Sequence, residues 1–168
     1  MKLMINDANI LIDLLQIDLL ESFFKLEFEF HIGDMVLAEV QEKNNDILIM
    51  FVNDGTIQIN SSTFEELLLI NSIKQSTPNL SIPDCSCLFL AEKLSATLLT
   101  GDGALRKRAS QMNLSVHGIL WVFDKLVAEN IISREKAIEK LNLLKEKNNR
   151  LPSAEIDKRL SDWNKTGK

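Results

Sequence analysis

Four acidic residues stand where an α/β chain can organise acid chemistry: Asp7, Glu39, Asp84 and Asp102. Asp7 ends the apolar run Leu3-Met4-Ile5 and precedes Ile10-Leu11-Ile12 and Leu14-Leu15, spaced as on a helix. Glu39 lies in Met35-Val36-Leu37-Ala38-Glu39-Val40, just past a second alternating run, and Asp84 closes the helix-opening Ser81-Ile82-Pro83-Asp84. Asp102 sits between Gly101 and Gly103, directly after Ala96-Thr97-Leu98-Leu99-Thr100. Each has an ordinary explanation when taken alone. Asp7 and Asp102 suit helix N-caps, Asp84 suits a first turn favoured by the helix dipole, and Glu39 suits a solvated helix face. Together they fall beside the carboxyl ends of strands, where open α/β sheets bind ligands. Carboxylates converging on one edge raise each other's pKa and cannot all ionise without compensation. Hard, oxygen-seeking cations, Mg²⁺ or Mn²⁺, are the natural compensation. The customary use of such a site is phosphodiester hydrolysis, with the ions activating water and steadying the leaving oxygen.

The elements that must position these acids are legible in the same way. Strands are predicted near residues 2–6, 28–32, 56–60, 97–100 and 114–117, separated by helical patterns. After the first helix, Leu19-Leu20 and Phe23-Phe24 are expected to continue an apolar helical face. Asp34 is a plausible cap for the helix carrying Glu39, and a short helix is expected over 45–52. Asp54-Gly55 marks a turn. Ser62 or Thr63 with Glu65-Glu66 opens a helix running through Leu67 to Ile73, which Thr77-Pro78-Asn79 breaks. Pro83 falls in the first turn of the next helix, where its missing N–H does no harm. From Gly118 onward the pattern is helical: 119–130, 133–147 and 153–163. Strands alternating with helices predict a parallel sheet covered on both faces.

At 168 residues the chain fits one domain with a helical appendage. It carries no low-complexity segment, no membrane-spanning apolar run and no signal peptide, which predicts a cytoplasmic protein. Cys85 and Cys87, two apart in a helix, face different ways and read as buried reduced thiols. His31 and His117 read as isolated strand-end residues. The net charge of −5 hides an asymmetry. Residues 1–133 carry nine Lys/Arg against eighteen Asp/Glu, and residues 134–168 carry ten against six. A basic tail on an acidic body suits a polyanionic partner, and equally suits ordinary solvated helices.

At this point the sequence resembles the PIN-domain nucleases, which include the toxin half of VapBC-type toxin–antitoxin pairs. The matching stretches are Leu3-Met4-Ile5-Asn6-Asp7-Ala8-Asn9, Val36-Leu37-Ala38-Glu39-Val40, Asp84 through Leu90-Ala91, and Leu98-Leu99-Thr100-Gly101-Asp102 with Leu105. The resemblance implies a PIN-like domain over 1–120 with strand order 3-2-1-4-5. A C-terminal helical extension over 121–168 would pack on it. It also implies Mg²⁺- or Mn²⁺-dependent cleavage of RNA, with one or two ions held by Asp7, Glu39, Asp84 and Asp102 as catalytic ligands. Asn9 and Thr100 match polar positions that would orient those carboxylates. The sequence departs from the family pattern after Asp102. There Arg106-Lys107-Arg108 replaces a further acid or polar residue, which lowers the ligand count for a second ion. The same three residues form an RNA-binding cluster beside the site, or an ordinary exposed helix face.

Two neighbouring classes are excluded. A haloacid-dehalogenase phosphatase needs a second Asp where Asn9 stands, and a receiver domain needs an acidic pair at strand one. The alternative that stays open is a non-catalytic PIN-like binding or scaffold module. An antitoxin protein or a second copy of the chain would be its protein partner. Phe23, Phe24, Phe28 and Phe30 are the aromatic residues such a partner could use, although at this spacing they read first as core.

Overall fold

The sheet in the computed structural model, which describes residues 2–44 and 47–165, is built from five short strands. They are β1 (Lys2–Asn6), β2 (Phe28–Gly33), β3 (Ile57–Asn60), β4 (Thr97–Leu99) and β5 (Val116–His117). All pair in parallel in the order β3-β2-β1-β4-β5. An all-parallel sheet must be covered on both faces, and the central strand obeys: Met4, Ile5 and Asn6 are buried. Asn6 is the polar exception; its amide Nδ2 donates to the carbonyl of His31 at 3.1 Å, across the β1–β2 pair. The strand sequence leaves β1 toward β2 and β3 on one side and toward β4 and β5 on the other. The carboxyl ends of β1 and β4 therefore form the switch point of the sheet, the crevice in which doubly wound folds bind.

Ten helices connect and extend the strands among the described residues: α1 (Ala8–Gln16), α2 (Leu20–Phe23), α3 (Asp34–Asn44), α4 (Ile47–Asn53), α5 (Phe64–Ser76), α6 (Ile82–Lys93), α7 (Gly103–Gln111), α8 (Ile119–Ala128), α9 (Arg134–Lys147) and α10 (Ser153–Lys165). Their ends follow local chemistry. Thr63 and Glu66 form a reciprocal capping box at the start of α5, and Ser81 and Asp84 form another at α6. Asp102 caps α7, and Ser133 caps α9.

The structure bears on three parts of the sequence reading. The first helix stops at Gln16, where Asp18 takes a left-handed φ of 56° that no helix tolerates, and the apolar helical face expected after it is carried by the separate α2, with Leu20 and Phe23 buried. The four phenylalanines are largely core, with Phe23 and Phe30 fully buried and Phe24 and Phe28 half-buried. The helix expected over 45–52 is described only from Ile47, its first two residues lying outside the described ones. Exposed apolar surface lies elsewhere, on α4 at Ile47 and Met50 and on α5, where Phe64, Leu68 and Leu69 are 70%, 54% and 54% exposed and Ile70 alone is buried.

The chain divides into two compact units: residues 1–12 with 27–119, and residues 13–26 with 120–168. The first holds the sheet. In the second, Arg159 of α10 forks onto both carboxylate oxygens of Asp124 on α8, at 2.9 and 2.7 Å, and also pairs with Glu155. Two-point Arg–carboxylate geometry is the strong form of such a contact. Asp13 is the buried polar group of this unit, its carboxylate taking the Nδ2 amide of Asn148 at 3.0 and 3.3 Å. Burial pushes the Asp13 carboxyl up, and the Asn148 bond offsets part of that. Asn148→Ala is therefore expected to leave a buried carboxylate without its amide donor. The cost should be about 1–3 kcal/mol, read as a lower midpoint in urea with an unchanged slope.

Candidate active site

The site begins at the end of β1. Asp7 extends the β1–β4 ladder, its N–H donating to the carbonyl of Leu99 at 3.0 Å. That fixes the backbone and leaves the side chain at the carboxyl edge, 3% exposed. Two polar side chains hold the carboxylate: the Thr100 hydroxyl donates to Oδ2 at 2.7 Å, and the Asn9 amide donates to the same oxygen at 3.3 Å. Thr100 is itself fully buried and accepts the Asp102 N–H at 3.0 Å. One hydroxyl thus links the acid after β1 to the turn carrying the acid after β4.

Asp102 and Asp84 each play two parts. Asp102 Oδ1 accepts the Leu105 N–H at 2.7 Å, capping α7, and Oδ2 lies outside that cap. Asp84 Oδ2 accepts the Ser81 N–H at 2.7 Å in the α6 capping box, and Oδ1 lies outside it. The cap reading of Asp102 and the first-turn reading of Asp84 are therefore correct, and they do not use up the carboxylates. Two acids are anchored by the helix starts they stabilise. Glu39 follows Asp34, which opens α3 with Oδ1 accepting the Met35 N–H at 2.8 Å.

Electrostatics brings three of the four acids together. The Asp7 carboxyl is pushed up from 3.8 to about 6. Burial is the largest cause; the Thr100 and Asn9 hydrogen bonds oppose it, and the negative charges of Asp84 and Glu39 add to it. Mutual repulsion, expected to dominate, comes second to desolvation because Asp7 is so deeply enclosed. Cys87 lies fully within the same field: burial first, then Asp7, Asp84 and Glu39, drive its thiol pKa up. Cys85, on another side of α6, faces the Thr77 hydroxyl at 3.9 Å, and both cysteines are free thiols. Asp102 joins the set through the Thr100 relay.

Whether these residues suit a cation turns on how many carboxylates it needs. Among the described residues no three His, Cys, Asp or Glu side chains form a closed ligand set. Mg²⁺ does not require one. It dehydrates reluctantly, keeps several waters and is held by one or two carboxylates. A buried carboxylate with raised pKa, flanked by two negative charges and by acids with an oxygen outside each cap, fits that demand.

The basic residues after Asp102 are not equivalent. Arg106 turns back over the end of β4, donating through Nη2 to the Thr100 carbonyl at 3.1 Å. Gly118 makes room for it, since a Cβ there would stand 2.7 Å from Arg106 Nη2. Lys107 and Arg108 instead line a pocket against the loop between α5 and α6. That loop was read from sequence only as a helix break. Lys74 organises it, its ammonium donating to the carbonyls of Pro78 and Leu80. His31, read as isolated, is buried and held by Asn60 at Nδ1 and Glu29 at Nε2.

Fold and site together define a class: a parallel α/β domain with an acidic crevice at its β1–β4 switch point. The sequence matches the DUF3368 PIN-domain family over residues 3–165, so the chain belongs to the PIN domains, a nuclease-type fold. Among solved structures it is similar to PAE2754 from Pyrobaculum aerophilum, at 14% identity and a TM-score of 0.51. That likeness covers 76% of this chain and 90% of the other, and at such identity it speaks for the fold. No curated protein matches the sequence. No helix among the described residues is long and apolar enough to cross a membrane.

Proposed function

We propose that the chain is a Mg²⁺- or Mn²⁺-dependent endoribonuclease, with Asp7, Glu39, Asp84 and Asp102 as its catalytic, metal-holding acids. The observation that carries this reading is Asp7, a buried carboxyl at the switch point, raised to about 6 and sensing the charges of Asp84 and Glu39. A fold does not keep such a group for stability, because the ionised form is costly there. A divalent ion supplies Lewis-acid chemistry, making water nucleophilic near neutral pH and offsetting charge on phosphoryl oxygens. The chain's own residues supply the geometry. Thr100 and Asn9 hold the Asp7 carboxylate in one orientation. Helix starts fix Asp84 and Asp102.

The family's toxin members make a toxin role the natural setting, in the cytoplasm, with an antitoxin protein or a second copy as partner. The purified chain with Mn²⁺ is expected to cut single-stranded RNA internally, leaving 5′-phosphate ends, and EDTA should stop it. Sequencing-gel analysis of an end-labelled RNA reads both the cut and the end chemistry. Binding of RNA without any cut, at all Mn²⁺ concentrations, would move the chain to the alternative class of PIN-like binding modules.

A further inference from the structure

Beside the acidic crevice lies a second concavity of about 240 Å³, between α7 and the α5–α6 loop. Its polar lining is Lys107, Arg108, Thr77, Asn79 and Gln111, with Leu80 and Ala104 as apolar floor. No carboxylate lines it. Arg108 is half-buried; its Nε is buried with no hydrogen-bond partner, and its Nη2 reaches only Ser76 Oγ, at 3.5 Å. A buried N–H of a guanidinium without an acceptor is costly. The guanidinium's remaining Nη donors, not the enclosed Nε, are what it can offer an acceptor from outside the chain. The walls are preorganised for one. Lys74 ties down Pro78 and Leu80, and the Thr77 hydroxyl donates to the Ile73 carbonyl at 2.6 Å.

We propose that this pocket is a phosphate subsite for the RNA strand, holding a backbone phosphate next to the bond being cut. The assignment rests on the ribonuclease reading for its substrate class, while the pocket chemistry stands on its own. Lys107 and Arg108 supply the charge, in the arrangement that suits phosphate oxygens. Asn79 and Gln111 each offer a donor and an acceptor, enough to bond the ribose 2′-hydroxyl that distinguishes RNA from DNA. The pocket continues from both site helices: Leu80 immediately precedes the Ser81 cap of α6, and Lys107 lies about 7.5 Å along α7 from Asp102. Arg106 does not line this pocket; its Nη2 donates instead to the Thr100 carbonyl.

The test uses the full chain and a labelled single-stranded RNA, with affinity measured by fluorescence anisotropy across a salt series in EDTA. Lys107→Gln and Arg108→Gln should each weaken binding about tenfold, the loss of one charged hydrogen bond. The slope of log affinity against log salt should fall by about 0.7 for a phosphate released from a single strand. Arg106→Gln should leave that slope unchanged, and Mn²⁺ should raise the melting temperature of all three variants as it does the wild type. Lys107 is exposed, so its variant stays informative if Arg108→Gln unfolds. Inorganic phosphate separates the two sources of the same chemistry. Protection of the wild type by phosphate, lost in Lys107→Gln while RNA affinity holds, would assign the pocket to free phosphate and overturn the proposal. A salt slope that falls in Arg106→Gln and not in Lys107→Gln would overturn it too. If no RNA is cut but the pocket variants still lose affinity as stated, the ribonuclease reading fails and the subsite stands.

Discussion

Asp7→Asn is expected to make the metal-free protein more stable at pH 7.5, and to abolish both its stabilisation by Mn²⁺ and its cleavage of RNA. The folded chain holds the Asp7 proton up to about 6, whereas an ordinary carboxyl releases it near 3.8. Between those values the folded state binds more protons than the unfolded one. Stability therefore falls as pH rises from about 4 to about 6 and is level above that. The ionised carboxylate costs the folded state about 3 kcal/mol at neutral pH. Asn keeps the shape and can still accept the Thr100 hydroxyl, but carries no charge to bury. The recovered stability should be about 2 kcal/mol, or roughly 4–8 °C in melting temperature for a chain of this size. Saturating Mn²⁺ should reverse the order, because a ligand that binds only the folded wild type raises its stability by mass action. Scanning calorimetry at pH 4.5 and 7.5, with and without Mn²⁺, reads all of these at once. Equal melting temperatures at pH 7.5 and equal Mn²⁺ responses would remove Asp7 from the site.

Much of this arrangement was legible in the sequence, because it rests on local chemistry. The apolar run that stops at Asp7, the Ser81–Asp84 box with Pro83 inside it, and the glycines around Asp102 each state where an element begins or ends. Strand order followed from the family resemblance, since pairing partners are distant in sequence. What stayed hidden depends on enclosure. Desolvation outweighs repulsion at Asp7 because of its neighbours in space, which no spacing reveals. Asp18 breaks the first helix through a left-handed backbone that Asp adopts without an obvious signal. The helix running through Leu67 was legible, but which of its apolar residues is enclosed was not: Ile70 alone is buried in α5. Arg106, Lys107 and Arg108 read as one cluster, but successive helical residues point about 100° apart, so one faces the sheet end and two face the loop. Residues 13–26 group with the tail, which a boundary placed at 120 does not disclose.

The same local reading sharpens the hardest question about Asp102, which is whether it serves the helix or the reaction. Asp102 Oδ1 caps α7 through the Leu105 N–H, and its backbone N–H is held by Thr100. Asn is as good an N-cap as Asp. Asp102→Asn therefore preserves the cap through its side-chain oxygen, and stability should change by no more than about 0.5 kcal/mol. What changes is the second oxygen, which becomes an amide and can no longer serve as an anionic ligand. Losing several kcal/mol of charge stabilisation corresponds to a fall in cleavage of about two to three orders of magnitude. RNA affinity measured in EDTA should hold or improve, since one negative charge beside the strand is gone. Asp102→Ser extends the comparison: Ser also caps well, so it should match Asn in stability and in lost activity. Single-turnover cleavage with saturating enzyme separates binding from chemistry. If both variants cut at the wild-type rate while Asp7→Asn does not, Asp102 is only a cap. The metal would then be held by Asp7, Glu39 and Asp84 without it.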